Sequence, residues 1–312
     1  MSAIVCYFIQ THRDPEQVYR LVRTLRQGSR GPIVVQHNFA AGPLDWAPVA
    51  DLPDVHLFPA SGRQIRSDFS CQVQPYLDVI DWLERERIPY DWLVNLTGQD
   101  YPVTPVPKIE EVLSTTEKDG FIRYWDVLSS ESLWSKRKAR NRYWYRYRLF
   151  PGAERKLQAL RFATKVLPLH FYLDYGPWVG TPARRVPFDD HFRCYGGWAW
   201  FSLRRSAVLY LREFLASHPE VEAHYRGTKV PEESLVQTVL VNANRFDLLD
   251  DDFRYIDYTG AHKGSPRVLT VADLPLLASG RYHFARKFDY GVDREVLDRI
   301  DRDLLGIEPA AA

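Results

Sequence analysis

The sequence is poor in features that mark several classes of protein. Its 312 residues include only three cysteines, Cys6, Cys71 and Cys194, which are far apart and form no CxxC or Cys/His cluster. Such scattered cysteines predict ordinary buried thiols in a reducing compartment rather than a disulfide framework or a zinc site. The formal net charge is only +1, so the overall charge does not favour nucleic acid and any anion site must be local.

Long apolar runs and several well-known motifs are also missing. The sequence has no run of about 18 apolar residues, and it enters AIVCYFIQTHRD without a basic region or a cleavage site. We therefore expect a cytoplasmic protein, with peripheral contact at the inner face of a membrane as the open alternative. HExxH, Walker and GxSxG motifs are absent, which argues against a zinc protease, a P-loop NTPase and a serine hydrolase.

The start of the chain alternates between strand and helix patterns. AIVCYFI is a β-branched and aromatic run, and PIVVQHN is a second one. Between them Val18, Leu21, Val22 and Leu25 recur at helical spacing, and Gly28 follows. A strand, a helix and a strand within about 40 residues form a βαβ unit, which predicts a Rossmann-like opening to an α/β fold. With 45% hydrophobic residues and no repeat or flexible linker, residues 1–312 are predicted to form a single domain.

Further strands are predicted in VHLFPA and DWLVNLTGQDYPV, with a helix in SCQVQPYLDVIDWLERERI between them. Ligands collect at the carboxyl ends of strands in open α/β sheets. Residues 10–12, 36–38 and 97–100 follow predicted strands and are therefore candidate site residues.

The middle of the chain has a different character. SKRKARNRYWYRYRLFPGAERKLQALRFATKVLP combines basic and aromatic residues with almost no acid. One interpretation is a solvated helix whose arginines lie over tyrosines. The other is a patch for a phosphorylated or lipid-linked acceptor, or for an anionic membrane surface. Nucleic acid is not an expected partner, because no known binding module is present.

Two acidic clusters are candidates for chemistry. Glu232 and Glu233 follow Pro231 at a predicted helix N-terminus, where carboxylates can cap the helix. Trp198 and Trp200 lie upstream, and flat aromatic faces beside carboxylates can also hold a sugar ring. Both interpretations stay open. The DDD run at residues 250–252 resembles a metal-binding DxD, but it lies in a polar turn without a predicted strand before it, so we do not expect it to bind metal.

Five motifs, taken together and in order, resemble the Core-2/I-branching β-1,6-N-acetylglucosaminyltransferases and the related peptide xylosyltransferases. They are AIVCYFIQTHRDPEQVYRLVRTL, YDWLVNLTGQDYPV, GGWAWFSLRRSAVLYL, VPEESLVQTVLVN and SPRVLTVADLPLLASGRYHFARKFD. They cover nearly the whole chain except residues 122–193. The resemblance implies a GT-A-type glycosyltransferase fold, with a Rossmann-like N-terminal half and a mixed central sheet flanked by helices. It also implies a UDP-sugar donor, inversion at the anomeric carbon and no metal ion.

The resemblance also implies three regions of the chain and catalytic roles for particular residues. Residues 1–105 would be the nucleotide-sugar-binding half, 122–193 a basic-aromatic insert and 194–300 the acceptor and catalytic half. Glu233, the last acid of a PDE-like box, would be the general base. Lys287 of the FARKFD-like box and Arg267 of SPRVL would meet the diphosphate. Arg286, next to Lys287, is expected to face the other way and to be structural.

The remaining assignments also follow from the resemblance. The residues expected to line the nucleotide pocket are Gln10, His12, Asn38 and Arg66. Gln99 and Asp100 are assigned to the donor or acceptor sugar, and Trp198, Trp200 and Glu232 to the acceptor side. For Gln99, Asp100 and Trp200 a buried structural role is an equal alternative.

Two departures from the family pattern affect the donor half. Asn38 of QHN replaces a carboxylate, and Arg66 and Ser67 of RSDFS replace a Trp-Gly pair, so the transferred sugar is open between GlcNAc and xylose. The chain also lacks the cysteine pairs of the animal enzymes. It therefore looks like a bacterial member that acts on a glycan, a glycolipid or a lipid-linked acceptor. A UDP-sugar hydrolase and a non-catalytic membrane- or glycan-binding module are the alternatives.

Overall fold

The parallel strands predicted near the N-terminus form the centre of the protein. The structure is a computed structural model, and it describes residues 2–59, 68–165, 167–173, 175–260 and 265–308. The strands are β1 (Val5–Thr11), β2 (Ile33–His37), β3 (Val55–Pro59), β4 (Trp92–Thr97), β5 (Asp100–Pro102), β6 (Gly120–Ile122), β7 (Trp125–Asp126), β8 (Tyr145–Leu149), β9 (His170–Tyr172), β10 (Trp178–Pro182), β11 (Tyr195–Gly196), β12 (Phe201–Arg204), β13 (Leu248–Leu249), β14 (Arg254–Ile256) and β15 (Phe284–Arg286).

Helices connect and cover these strands. They are α1 (Pro15–Gly28), α2 (Phe69–Gln72), α3 (Gln74–Arg85), α4 (Val106–Thr115), α5 (Lys136–Tyr143), α6 (Glu154–Ala159), α7 (Arg205–Ser217), α8 (Pro219–Tyr225), α9 (Leu235–Asn242), α10 (Leu274–Leu277) and α11 (Glu295–Arg299). Short 3₁₀ turns span Ala47–Val49, Leu160–Lys165, Pro231–Glu233 and Val271–Asp273, and a π-helical turn spans Ile300–Leu305. In the described ranges, no helix is both long enough and apolar enough to cross a membrane.

The main sheet has the strand order β13-β6-β12-β4-β1-β2-β3. Strands β3, β2, β1 and β4 run parallel, whereas β12 is antiparallel to both β4 and β6. Gln10 of β1 lies opposite Gln36 of β2 and Thr97 of β4, so the carboxyl ends of three strands meet at one edge. This confirms the predicted mixed α/β sheet flanked by helices.

Both faces of this sheet are buried, which explains the continuous apolar runs in the sequence. In β1, the side chains of Val5, Tyr7 and Ile9 enter one core cluster, shared with α1, α4 and the C-terminal helices. Cys6 and Phe8 alternate with them and enter the other cluster, shared with α3, α7 and α9. The cysteine prediction is partly wrong, because Cys6 and Cys194 are buried but Cys71 is only half-buried.

A smaller sheet brings the C-terminal motif to the end of β4. Strand β5 pairs antiparallel with β15, and β15 pairs parallel with β14. In this register Arg286 lies opposite Asp100 on one side and Ile256 on the other. The FARKFD segment therefore lies beside the turn that follows the fourth parallel strand.

The basic-aromatic stretch is not the single solvated helix that the sequence left open. It forms α5, then β8, then α6, and β8 pairs with β10 in an antiparallel sheet that also contains β9. The reason lies in YRYRL, where Tyr147 is buried while Arg146 and Arg148 are exposed. That alternation has the period of a strand rather than of a helix.

Candidate active site

Polar side chains gather at the carboxyl ends of β1 and β2, as the sequence predicts. Gln10 donates from Nε2 to a main-chain carbonyl of α2 at 3.2 Å, and the exposed His12 follows the strand. Asn38 follows β2, its N–H donates to the carbonyl of Thr11 at 2.9 Å, and its side-chain oxygen accepts from the main chain two residues later. These three candidates lie at one edge of the sheet, whereas Arg66, with its neighbour Ser67, lies outside the described residues.

Gln99 ties this edge to the FARKFD segment. Its Nε2 donates to the carbonyl of Phe288 at 3.2 Å, and its own carbonyl accepts from the N–H of Phe288 at 2.9 Å. Gln17 of α1 donates to the same Phe288 carbonyl at 3.2 Å and to that of Gly98 at 2.8 Å. The segment that carries Lys287 is therefore held against the turn between β4 and β5.

Asp100 and Trp200 support Arg286 rather than face open solvent. Asp100 has no exposed surface; one carboxylate oxygen accepts from the N–H of Thr97, and the other lies 3.4 Å from Nη1 of Arg286. The Arg286 guanidinium lies over the half-buried ring of Trp200. These contacts are consistent with a structural role for Asp100, Trp200 and Arg286, and the assignment of Asp100 and Trp200 to a sugar stays a prediction.

Lys287 contacts a different set of atoms. Its Nζ donates to Oγ of Ser265 at 2.7 Å, and its carbonyl accepts from the N–H of Leu269 at 2.9 Å. Arg286 and Lys287 thus have separate partners, as expected. The structure also brings Lys287 beside the SPRVL segment that contains Arg267.

Arg267 is held by two carboxylates. It forms ion pairs with Asp257 and Asp273, with Nη1 2.9 Å from one oxygen of Asp273. Hydrogen bonds to Asp273 and Asp257 raise the pKa of Arg267, and hydrogen bonds from Thr259 and Arg267 lower the pKa of Asp257 to about 2. The guanidinium is therefore already neutralised locally, and only its remaining N–H groups are available to another anion.

Glu233 lies in the 3₁₀ turn before α9. The turn begins at Val230, whose φ of 55° is unusual for a β-branched residue and is typical of strained functional turns. The carbonyl of Glu233 accepts from the N–H of Gly197 at 2.8 Å, and a Cβ at Gly197 would collide with the carbonyl of Arg123. The side chain does not cap a helix; instead Oε2 accepts from Nη1 of Arg142 at 2.5 Å.

Glu232, the neighbouring acid, lies in a different environment. Its Oε2 is enclosed and accepts no hydrogen bond from the described part of the chain. Burial, and next the charge of Glu233, raise the pKa of Glu232 to about 8. Lys229, which precedes this turn, is buried against the ring of Trp178, and burial lowers its pKa to about 7. The two adjacent glutamates thus differ in charge environment, as acid and base groups in active sites commonly do.

An aromatic pair connects Glu233 with the Arg286 region. The ring of Trp198 stacks on that of Tyr258, with centroids 5.4 Å apart. Burial raises the pKa of Tyr258; the charge of Glu233 raises it further, and the charge of Arg286 opposes this. Tyr258 is therefore in the electrostatic surroundings of both Glu233 and Arg286, and its ring pairs with Trp198, a type of flat surface that can hold a sugar.

The side chains of the DDD run are engaged by N–H groups of their own loop and of the segment that follows β6. The prediction that no strand precedes it is wrong, because β13 ends directly before it. Asp250 accepts from the N–H of Tyr124 at 2.8 Å, and Asp252 is buried and accepts from the N–H of Arg254 at 3.1 Å. Within the described ranges, no group of three or more His, Cys, Asp or Glu side chains is placed to hold a metal ion.

A cavity of about 640 Å³ lies away from these residues, at the amino-terminal edge of the parallel strands. Ile4, Gly31 and Glu110 are among its lining residues. Because ligands of open α/β sheets bind at the carboxyl ends of the strands, we place the candidate site at the polar edge and not in this cavity.

The sequence analysis missed two residues of this arrangement. Tyr258 follows β14, so the rule that selected residues after strands would have found it if β14 had been predicted. Arg142 belongs to the basic-aromatic stretch, where only the segment as a whole was considered. Its pairing with Glu233 joins residues 91 positions apart, and no local pattern indicates it.

The fold and the polar edge of its sheet are consistent with a GT-A-like glycosyltransferase. A mixed seven-stranded sheet flanked by helices, with polar residues at the ends of its parallel strands, is the arrangement of GT-A-type glycosyltransferases. A sequence profile of the Core-2/I-Branching enzyme family matches residues 63–276. The chain belongs to the Core-2/I-branching enzyme family, and its fold is GT-A-like.

Two plant proteins are similar to this chain. The beta-glucuronosyltransferase GlcAT14A of Arabidopsis thaliana is 28% identical over 233 residues, which cover 73% of this chain and 45% of the plant protein. The beta-glucuronosyltransferase GlcAT14B of the same plant is 28% identical over 228 residues, covering 72% and 46% respectively. The chain thus spans somewhat less than half the length of these relatives.

Proposed function

We propose that this protein is an inverting glycosyltransferase that moves a sugar from a UDP-sugar to an acceptor hydroxyl without a metal ion. Family membership supports glycosyl transfer as the type of reaction. The observation that carries the proposal is the arrangement around Glu233, whose carbonyl accepts from the N–H of Gly197, next to Trp198, and the ring of Trp198 stacks on Tyr258. A carboxylate base near a stacked aromatic pair suits an acceptor sugar, and the cationic FARKFD segment suits a donor diphosphate.

The proposed reaction is a single displacement. The acceptor oxygen attacks the anomeric carbon, the bond from that carbon to the diphosphate breaks, and UDP leaves with the electron pair. Glu233 takes the hydroxyl proton, a contribution typically worth about 10²–10⁴ in rate. Attack from the face opposite the leaving group inverts the anomeric carbon.

The leaving diphosphate gains negative charge that must be balanced. Lys287 is assigned this role, with the remaining N–H groups of Arg267 as further hydrogen-bond donors to the diphosphate. Preorganised cations in an enclosed site stabilise developing charge without reorganisation, which is why a divalent ion is not required for this step. Gln10, His12, Asn38 and Arg66 are proposed to line the nucleotide pocket.

The acceptor is proposed to be a glycan, a glycolipid or a lipid-linked precursor. Trp198 would offer a flat face to it, whereas Trp200 is held against Arg286 and Oε2 of Glu232 is enclosed. The donor sugar is open between GlcNAc and xylose on the resemblance of the motifs. The names of the two plant relatives add glucuronic acid as a third donor to test.

A donor screen tests this proposal. UDP-GlcNAc, UDP-xylose, UDP-glucose, UDP-galactose and UDP-glucuronic acid are added with EDTA, and thermal stability is measured, because a bound donor raises apparent stability by mass action. We expect one donor to stabilise the protein more than UDP alone does. No response to any UDP compound would contradict the proposal. Release of free sugar from the bound donor without an acceptor would instead support the hydrolase alternative.

Peripheral contact with an anionic membrane is proposed as well, on the properties of residues 135–167. This segment has eleven Lys and Arg residues and one Glu, a net charge of +10 in a protein whose total is +1. The cations of the segment that are exposed include Lys136, Arg137, Lys138, Arg140, Arg146, Arg148, Arg155 and Lys156. Phe150, Leu160, Phe162 and Leu167 are exposed apolar residues of the same segment. Exposed cations beside exposed apolar side chains fit the interface of an anionic bilayer.

A further inference from the structure

We propose that Arg142 is a positioning residue for the general base Glu233, and that the basic-aromatic insert thereby completes the catalytic centre. This inference rests on the proposed glycosyltransferase function. It assigns the insert a role beyond membrane contact.

The first support is the geometry of the ion pair. Nη1 of Arg142 lies 2.5 Å from Oε2 of Glu233, and the side chains are only 17% and 20% exposed. Charge-assisted hydrogen bonds of this length between enclosed groups are among the stronger polar contacts in proteins. Oε1 of Glu233 accepts no hydrogen bond from residues in the described ranges. One oxygen is therefore held while the other is available to an acceptor hydroxyl.

The second support is that Arg142 is itself held from the other side. Its guanidinium carbon lies 4.6 Å from the centre of the Trp134 ring, a cation–π arrangement. Trp134 packs closely against Gly196, where a Cβ would collide with the indole ring. Burial opposes the charge of Arg142, but the charge and hydrogen bond of Glu233 outweigh it and raise the pKa of Arg142. The guanidinium is thus fixed between an aromatic ring and a carboxylate.

The third support is the contrast between the two neighbouring glutamates. Glu232 is enclosed without a cationic hydrogen-bond partner in the described part of the chain, and its pKa is raised to about 8, so it carries a proton at neutral pH. Glu233 instead accepts a hydrogen bond from the guanidinium of Arg142 at 2.5 Å. Arg142 thus holds one of the two adjacent acids, Glu233, by a hydrogen bond and leaves Oε2 of the other without one.

The consequence for the reaction concerns one proton. As the acceptor oxygen bonds to the anomeric carbon and UDP leaves, the hydroxyl proton moves to Oε1 of Glu233. Arg142 touches neither substrate; it fixes the plane of the carboxylate through Oε2. A misplacement of about 1 Å in such a group lowers a rate by about 100-fold.

The experiment uses the full chain and measures UDP release with the donor selected by the screen and a panel of glycan, glycolipid and lipid-linked acceptors. We expect Arg142→Ala to lower kcat by about 10- to 100-fold, with the donor KM and the affinity for UDP unchanged. Arg142→Lys should recover part of the loss. Arg85→Ala is the control, because Arg85 is an exposed arginine on α3, outside the insert, and it should behave as wild type.

A variant that fails to fold does not end the test. Arg142→Ala/Glu233→Ala removes both charges together, and we expect it to fold, to bind UDP and to release no more product than Glu233→Ala alone. Wild-type kcat in Arg142→Ala would overturn the inference while leaving the proposed function intact. Equal losses of kcat and of UDP affinity would also overturn it, because they indicate a role in donor binding. If the wild-type protein releases no UDP with any of the donor and acceptor combinations, both proposals are overturned.

Discussion

The guanidinium carbon of Arg286 lies 4.1 Å from the centre of the Trp200 ring, and its Nη1 faces the buried carboxylate of Asp100 at 3.4 Å. A second buried arginine, Arg254, lies near the same carboxylate. Burial lowers the pKa of Arg254 to about 10, and the charges of Asp100 and Asp252 oppose this change. Asp100 is therefore a shared counter-charge for two enclosed cations at the end of the central sheet.

Replacing Asp100 tests this relationship. Asp100→Asn keeps the shape but leaves two buried guanidinium groups without their shared charge, so we expect a loss of about 3 kcal/mol in the free energy of unfolding. Urea denaturation measures it. Asp81→Asn removes the partner of Arg212 in an exposed ion pair and should lower the free energy of unfolding by less than about 1 kcal/mol. Equal stability of the two variants would contradict the shared-charge interpretation.

Lys287 should contribute directly to nucleotide affinity. Charge-assisted hydrogen bonds contribute about 1.5–3 kcal/mol, so Lys287→Met is expected to weaken UDP binding by about 10- to 100-fold, with a smaller loss for Lys287→Arg. Isothermal titration calorimetry measures this. Lys118→Met is the control, because Lys118 pairs with Asp247 on the surface. Wild-type affinity in Lys287→Met would remove this lysine from the donor site.

Catalysis should persist without divalent ions. If Lys287 and Arg267 balance the diphosphate charge, UDP release by the wild-type protein should be the same in EDTA as in manganese. The control is Lys287→Met under both conditions, which should be slow in each. Activity lost in EDTA and restored by manganese would contradict the metal-free proposal and would direct attention to the DDD run at residues 250–252.

The parallel half of the fold was predictable because its signals are local. Each strand is an apolar run with a clear end, and Val18, Leu21, Val22 and Leu25 repeat at helical spacing and are buried on α1. The rule about strand ends then placed Gln10, His12, Asn38 and Gln99 at one edge, where the structure has them.

The catalytic half was less predictable because its contacts join distant segments. Arg142 and Glu233 meet only because the insert folds back on the turn before α9, and Arg286 meets Asp100 through pairing between β5 and β15. A strand of two or three residues, such as β13 or β14, also carries too little periodicity to be recognised. The motif resemblance supplied Glu233 and Lys287 but not the residues that hold them.

Glu232 should make stability depend on pH. Its ordinary pKa is 4.5 and its folded pKa is about 8, so between these values the unfolded chain is ionised while the folded protein keeps the proton. The stabilising contribution is complete below pH 4.5 and is lost as pH rises toward 8. We therefore expect wild type to lose more stability than Glu232→Gln between about pH 5 and about pH 6.5 in urea denaturation.

The upper limit of the pH range for this measurement follows from Lys229. Burial lowers its pKa to about 7, so below that value its charge is present in both the folded and the unfolded states and adds little slope. Glu220→Gln, which changes an exposed acid at the start of α8, should retain the wild-type pH dependence. Parallel pH curves for wild type and Glu232→Gln would show that Glu232 does not hold a proton in the folded protein.

Membrane contact through the insert should depend on both charge and apolar side chains. We expect the protein to sediment with vesicles that contain anionic phospholipid, to remain unbound with neutral vesicles, and to be released by salt because exposed charges are screened. Lys136→Glu/Arg140→Glu and Phe162→Ser should each weaken binding. Lys108→Glu/Lys118→Glu makes the same change in charge on other elements and should bind like wild type. If that control loses binding to the same extent, overall charge and not the insert carries the attraction.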